Sequence, residues 1–169
     1  MIENPNMSKN AAEQRNLFDF AKAHAPCYVY EEDVIIKQCK ELQRRMPQIH
    51  FLYSLKTNPF PKVVKTIAAQ GFGADAASVG EVLLAEKIGI HCDEIFYSAP
   101  GKTAEDISAA WGKCTFIADS FCELERLEQK AAEENTKLHV GVRLHPKFSM
   151  HGKESSASKF GIDEDLFLH

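Results

Sequence analysis

His50-Phe51-Leu52-Tyr53-Ser54-Leu55-Lys56-Thr57-Asn58-Pro59 is the stretch from which the rest of the chain can be read. Its first six residues read as a buried strand. Asn58 followed by Pro59 reads as a helix N-cap with proline at the first helical position. A lone lysine, Lys56, therefore stands at the C-terminal tip of a strand, with its amine aimed at a strand-to-helix loop. A desolvated lysine gives up its proton readily and can form a Schiff base with a carbonyl compound. Asp75, also at a strand end, is the expected partner of that amine, because an acid between apolar stretches is costly to bury unpaired.

Outward from this segment, strand-like and helix-like patterns alternate. Residues 11–24 suggest an opening helix, and Cys27-Tyr28-Val29-Tyr30 a short strand. An amphipathic helix follows over 31–46, with Val34, Ile35, Leu42 and Met46 broadly on one side. Helices are expected at 59–70, 79–88, 103–111 and 121–134, and Gly71 and Gly89 stand where helices stop. Between them lie apolar strands at 72–75, 94–97, 115–118 and 138–144. The region 145–161 reads as irregular and polar.

Such a beat means βα units and a parallel sheet. A doubly wound sheet and an incomplete (β/α)8 barrel both fit the spacing. Lys56, Asp75, Ser98, Asp119 and Arg143 all fall at or just past strand C-termini, and in barrels those ends ring one site. The expectation is a partial TIM barrel with about five of eight strands.

With 169 residues, 44% hydrophobic and 26% charged, the chain suits one soluble domain with a real core. A net charge of −4 offers nothing to nucleic acid or an anionic membrane. No apolar run approaches the roughly 20 residues of a membrane span. The first ten residues are polar and lack a signal-peptide core, so a cytoplasmic location is expected. The five cysteines form no Cys-x-x-Cys pair, and the seven histidines do not cluster, so no metal is expected.

Several motifs carry a structural reading beside a functional one. Gly71-Phe72-Gly73-Ala74-Asp75-Ala76 matches a dinucleotide pattern but follows a helix, not a strand, and so fails its context. Gly101-Lys102-Thr103 lacks the upstream glycine of a phosphate loop, which leaves Lys102 as a loop cation and Thr103 with Asp106 as a helix start. Ser78-x-x-Glu81 and Ser120-x-x-Glu123 both match a capping box. Capping suffices for Glu123, whose helix is charged. For Glu81, beside Asp75, a site role stands equally open. Arg143 ends an apolar strand, where it either snorkels or binds an anion or hydroxyl.

Taken together, these segments resemble the fold type III PLP-dependent decarboxylases, the alanine racemase-like barrel enzymes that include diaminopimelate, ornithine and biosynthetic arginine decarboxylases. The resemblance covers about residues 25–163. It rests on Pro26-Cys27-Tyr28-Val29-Tyr30, Tyr53-Ser54-Leu55-Lys56-Thr57-Asn58, Gly71 to Ser78 with Gly80-Glu81, Asp119-Ser120-Phe121 with Glu123-Leu124, and Ser158-Lys159-Phe160-Gly161-Ile162. Diaminopimelate decarboxylase is the nearest branch. His145 in Gly141-Val142-Arg143-Leu144-His145-Pro146, where that branch usually has Asn, and the loop Ser98-Ala99-Pro100-Gly101-Lys102 depart from its pattern.

The resemblance implies pyridoxal 5'-phosphate on Lys56, with Asp75 and Glu81 tuning the lysine and its cofactor and Arg143 near the cofactor ring. It implies decarboxylation of a basic or dibasic amino acid, first of all meso-diaminopimelate to lysine, by a homodimer. Ornithine or arginine decarboxylation, an alanine racemase-like activity and a non-catalytic regulatory role are the alternatives. A whole barrel needs about 250 residues. The chain therefore reads as the N-terminal part of such an enzyme, inactive alone. Residues 1–25 form a polar arm and helix, 26–169 the barrel portion, and the strand at 27–30 would belong to an absent C-terminal β-domain.

Overall fold

The computed structural model describes residues 11–148 and 158–167. The chain forms two compact units, Met1–Glu31 and Glu32–His169. In the first, helix α1 spans Ala11–His24, with Lys22 and His24 in its last turn, where cations complement the helix dipole. The Phe20 and His24 rings stack at 4.2 Å. Residues 27–30 carry no strand. The division between the two compact units falls after Glu31.

In the second unit, α2 (Glu32–Arg45) opens on Glu32 and Asp33 and closes on Arg44 and Arg45. Its buried stripe is Ile35 and Cys39, packed with Val63, Ile67 and Phe72 of the next βα unit. Val34, Leu42 and Met46, expected on that stripe, are exposed.

Five strands follow, β1 (Leu52–Ser54), β2 (Gly73–Ala76), β3 (Ile95–Ser98), β4 (Thr115–Ala118) and β5 (Val140–Val142). All pair in parallel, in the order β1-β2-β3-β4-β5. A doubly wound sheet reverses its strand order at a switch point, and this one never does. The sequential order is that of a barrel wall. The connecting helices are α3 (Pro61–Ala68), α4 (Val79–Ile88), α5 (Ala104–Ala110) and α6 (Phe121–Glu133). They cover a core that includes Ala74, Ala76, Ile95, Tyr97, Phe116 and Ala118, all buried. The alternate strand residues Ser54, Asp75, Phe96, Ser98 and Ile117 are half-buried, on the face that the helices leave uncovered.

The expected helix boundaries hold to within a few residues. α4 ends at Gly89, which is left-handed, and the Thr103–Asp106 capping box opens α5. Gly71, at φ +84, follows the end of α3 as a terminator, and Gly73 lies inside β2, as a failed dinucleotide pattern requires. The start of α3 differs. Phe60 is its N-cap and Pro61 its first residue, while Asn58 closes the preceding 3-10 turn and accepts a hydrogen bond from the Phe60 N–H. Two prolines two residues apart both suit a first helical turn, and Asn58 is taken up by the tighter turn.

The strand expected over 138–144 is broken. After β5, Arg143 donates its N–H to Ala118 O, and its own carbonyl accepts from Ile162 N–H. Leu144–His145 then forms β6, parallel to β7 (Ile162–Asp163), and α7 (Glu164–Phe167) follows. Part of the region expected to be irregular, 149–157, lies outside the described residues; β7 begins directly after its end.

Candidate active site

β1 runs directly into a 3-10 turn, Leu55–Thr57, that holds Lys56. Fully buried Leu55 anchors the turn. The Thr57 hydroxyl donates to Ser54 O at 2.7 Å, Asn58 N–H to Leu55 O at 3.1 Å, and the Tyr53 hydroxyl to Asn58 O at 3.2 Å. With the backbone pinned and its neighbour pointing inward, Lys56 projects outward. It is exposed, and among the described residues its ammonium forms no hydrogen bond or ion pair. The desolvation expected from the sequence is not supplied by these residues.

Asp75 lies on the adjacent strand, in register with Ser54 and therefore on the same rim as Lys56. The expected Lys56–Asp75 ion pair does not form. The Asp75 carboxylate instead accepts from the Ser54 hydroxyl at 2.9 Å and from the Ser98 hydroxyl of β3. Two short neutral donors on the flanking strands satisfy the acid without a counter-ion. Glu81 sits one turn above, where its carboxylate accepts the Ala77 N–H at 2.7 Å and its own N–H donates to Ser78 Oγ. That is a capping role.

The second Ser-x-x-Glu motif behaves differently, and here the sequence reading is corrected. Ser120 caps α6, but Glu123 is fully buried. Its carboxylate accepts from the N–H groups of Gly101, Lys102 and Asp119 and pairs with the Lys102 ammonium at 2.9 Å. Lys102 is no loop cation. It is 1% exposed, and it also donates to Ala99 O and Ile117 O, each at 2.6 Å. A buried charge needs such complete satisfaction. The signal in the sequence was a lysine between two apolar strands whose partner lay in the next βα unit.

This pair fixes the Asp119 backbone, and the Asp119 side chain extends the network. Its carboxylate faces Arg143 Nη1 at 3.3 Å and accepts the Gly161 N–H at 3.0 Å. The Arg143 guanidinium lies 4.6 Å over the Phe160 ring. Arg143 is thus held between an acid and an aromatic face with about 44% of its side chain open to solvent. The motif Ser158-Lys159-Phe160-Gly161 closes on the ends of β4 and β5. Gly161 takes φ +82, and a Cβ there would press on Arg143 O and His145 N.

Nearby burial perturbs two further groups. Tyr97 is pushed up to about 12 by burial, then by the negative charges of Asp106, Cys114 and Glu123. Burial pushes the Cys114 thiol up to about 12, against the opposing pull of the Lys102 charge.

The rim therefore presents a primary amine without a partner among the described residues, a clamped carboxylate and a half-open guanidinium at the C-terminal ends of parallel strands. That donor set fits an anionic cofactor bearing an aldehyde. The family described as pyridoxal-dependent decarboxylase, pyridoxal binding domain, matches residues 32–167. The chain belongs to that family, and the cofactor of the domain is pyridoxal phosphate. It is 34% identical over 151 residues to an L-glutamyl-[BtrI acyl-carrier protein] decarboxylase of Niallia circulans, covering 83% of this chain and 35% of the relative. It is 31% identical over 145 residues to a diaminopimelate decarboxylase of Aquifex aeolicus, covering 82% and 34%. Among solved structures, a diaminopimelate decarboxylase of Helicobacter pylori complexed with L-lysine superposes with a TM-score of 0.72 at 28% identity, over 92% of this chain and 41% of that one. The chain spans about a third of the length of the curated relatives it matches. The fold is accordingly a partial (β/α)8 barrel. No helix among the described residues is long and apolar enough to cross a membrane.

Proposed function

We propose that this domain serves a PLP-dependent amino-acid decarboxylase, and that the amino acid is meso-diaminopimelate, converted to lysine. The observation that carries the reading is Lys56: an exposed amine without a partner among the described residues, on the rim it shares with Asp75. When bound, PLP supplies an electron sink for the electron pair left behind as the substrate carboxylate departs as CO2. Lys56 holds the cofactor through its amine. Asp75, fixed by the Ser54 and Ser98 hydroxyls, holds a carboxyl group on the rim that carries that amine. Glu81 steadies the Asp75 strand exit by closing on Ala77. Arg143, oriented by Asp119 and Phe160, offers a cation to the anionic reactants.

The substrate is supported by the diaminopimelate decarboxylases among the relatives, at 31% and 29% identity. A second reading is favoured by the relative at 34% identity, which acts on a carrier-bound glutamyl group. A homodimeric, cytoplasmic full-length enzyme completes the proposal, with the 169 residues alone turning over no amino acid. The test is borohydride reduction of the chain mixed with PLP, followed by peptide mapping. Label concentrated on Lys56 is expected. Label spread evenly over surface lysines, or unchanged in Lys56→Ala, overturns the reading. Carbon dioxide release from diaminopimelate, ornithine or glutamyl carrier protein by the isolated chain would overturn its inactivity alone.

A further inference from the structure

The opposite rim of the sheet carries a cluster that the decarboxylase reading does not use. Between α4 and β3 the chain makes a 3-10 turn, Cys92–Glu94, with His91 at its N-cap. Three consecutive side chains converge there. Cys92 Sγ lies 3.8 Å from His91 Nδ1 and 3.9 Å from Asp93 Oδ1, and His91 Nδ1 lies 3.4 Å from Asp93 Oδ2. One donor atom from each residue falls within 4.8 Å of the others.

A tetrahedral Zn2+ with a Zn–S bond of about 2.3 Å and Zn–N and Zn–O bonds of about 2.0–2.1 Å spaces such donors about 3.3–3.6 Å apart. One donor from each residue lies within 4.8 Å of the others, wider than that face, and rotation of these solvent-facing side chains would bring them to ligating distance. We propose that His91, Cys92 and Asp93 form a binding site for a borderline-soft divalent cation, Zn2+ first of all, with water in the fourth position. Sulfur and imidazole nitrogen disfavour Ca2+ and Mg2+, which take oxygen ligands.

Helix capping accounts for only part of this arrangement. The His91 ring accepts the Asp93 N–H at a long 3.4 Å, and that contact does not require the Cys92 sulfur to approach both neighbours. The turn also borders an open cavity of about 500 Å³ whose lining includes His50, His91 and Glu94. His50 Nε2 contacts the Glu94 carboxylate beside it. The His91 and Asp93 side chains lie open to solvent, so water and ions reach the cluster directly. Binding transfers the Cys92 thiol proton to solvent as the thiolate ligates the metal.

The site precedes β3, whereas Lys56 follows β1, so cation binding is independent of the cofactor. The test uses the reduced 169-residue chain titrated with Co2+ and then Zn2+. Expected are a sulfur-to-cobalt charge-transfer band with intense tetrahedral d–d absorption, displacement by Zn2+, and release of one proton. Cys92→Ser should abolish the charge-transfer band and weaken Zn2+ binding at least tenfold, while Cys122→Ser leaves both unchanged. His91→Asn keeps a capping acceptor, so its circular dichroism stays that of the parent while Zn2+ affinity falls at least tenfold. Absence of the cobalt band, its survival in Cys92→Ser, or parental Zn2+ affinity in His91→Asn overturns the proposal.

Discussion

The ammonium of Lys102 and the carboxylate of Glu123 meet at 2.9 Å with both side chains closed off from solvent. They tie the loop after β3 to the first turn of α6. Neither charge has access to water that could replace the other. Lys102→Met or Glu123→Gln is expected to destabilise the chain by about 3–5 kcal/mol, because each leaves one buried charge unpaired. The double substitution Lys102→Met with Glu123→Gln should cost less than the sum of the two single changes. Urea midpoints of the four proteins measure this.

Lys56 presents the opposite case. Exposed and unpaired among the described residues, it adds little to folding, so Lys56→Ala should shift stability by less than about 0.5 kcal/mol. The same variant should lose the specific PLP adduct. Thermal unfolding and PLP absorbance, run on one sample, separate the two effects.

Gly161→Ala tests the closure of the Ser-Lys-Phe-Gly segment on Asp119. At φ +82, with Arg143 O only 3.0 Å from the new Cβ, the change should cost roughly 1–3 kcal/mol. Amide exchange should speed up at Ile162, whose N–H is held by Arg143 O, before it does in β2 or β3.

Alkaline pH should weaken the fold. Folded Cys114 and Tyr97 keep their protons until about 12, from ordinary values of 9.0 and 10.0. Above pH 9 the unfolded chain loses protons that the folded chain retains, so stability is complete below pH 9 and falls as pH rises toward 12. The slope is at most about 1.4 kcal/mol per pH unit for each proton. Denaturation midpoints at pH 8, 9 and 10 measure it, and Cys114→Ala should flatten the segment between 9 and 10.

The sequence makes the parallel βα order legible because each helix carries its own stop and start: Gly71, Gly89, the Thr103–Asp106 box and Ser120. These are local signals, complete within four residues. The Lys102–Glu123 pair is hidden in the sequence for the converse reason. They lie 21 residues apart, and a charged residue on a charged helix looks solvated until its partner is known. Asp75 reads as needing a partner, and its partners are serines on the two flanking strands, which only strand register reveals. Residues 27–30 and the break at Arg143 depend on which strands lie alongside, which no local pattern encodes. The His91-Cys92-Asp93 triangle escaped because three adjacent residues match no familiar ligand spacing.

The uniform direction of the five strands has a consequence for how this protein can change. Side chains that would meet a reactant leave from one rim, while the His91 turn and its cavity belong to the other. Loops on the first can be exchanged to retune selectivity while the second is left intact. An engineer could thus treat the two ends of each βα unit as separately editable, with the buried Lys102–Glu123 tie as the part to leave alone.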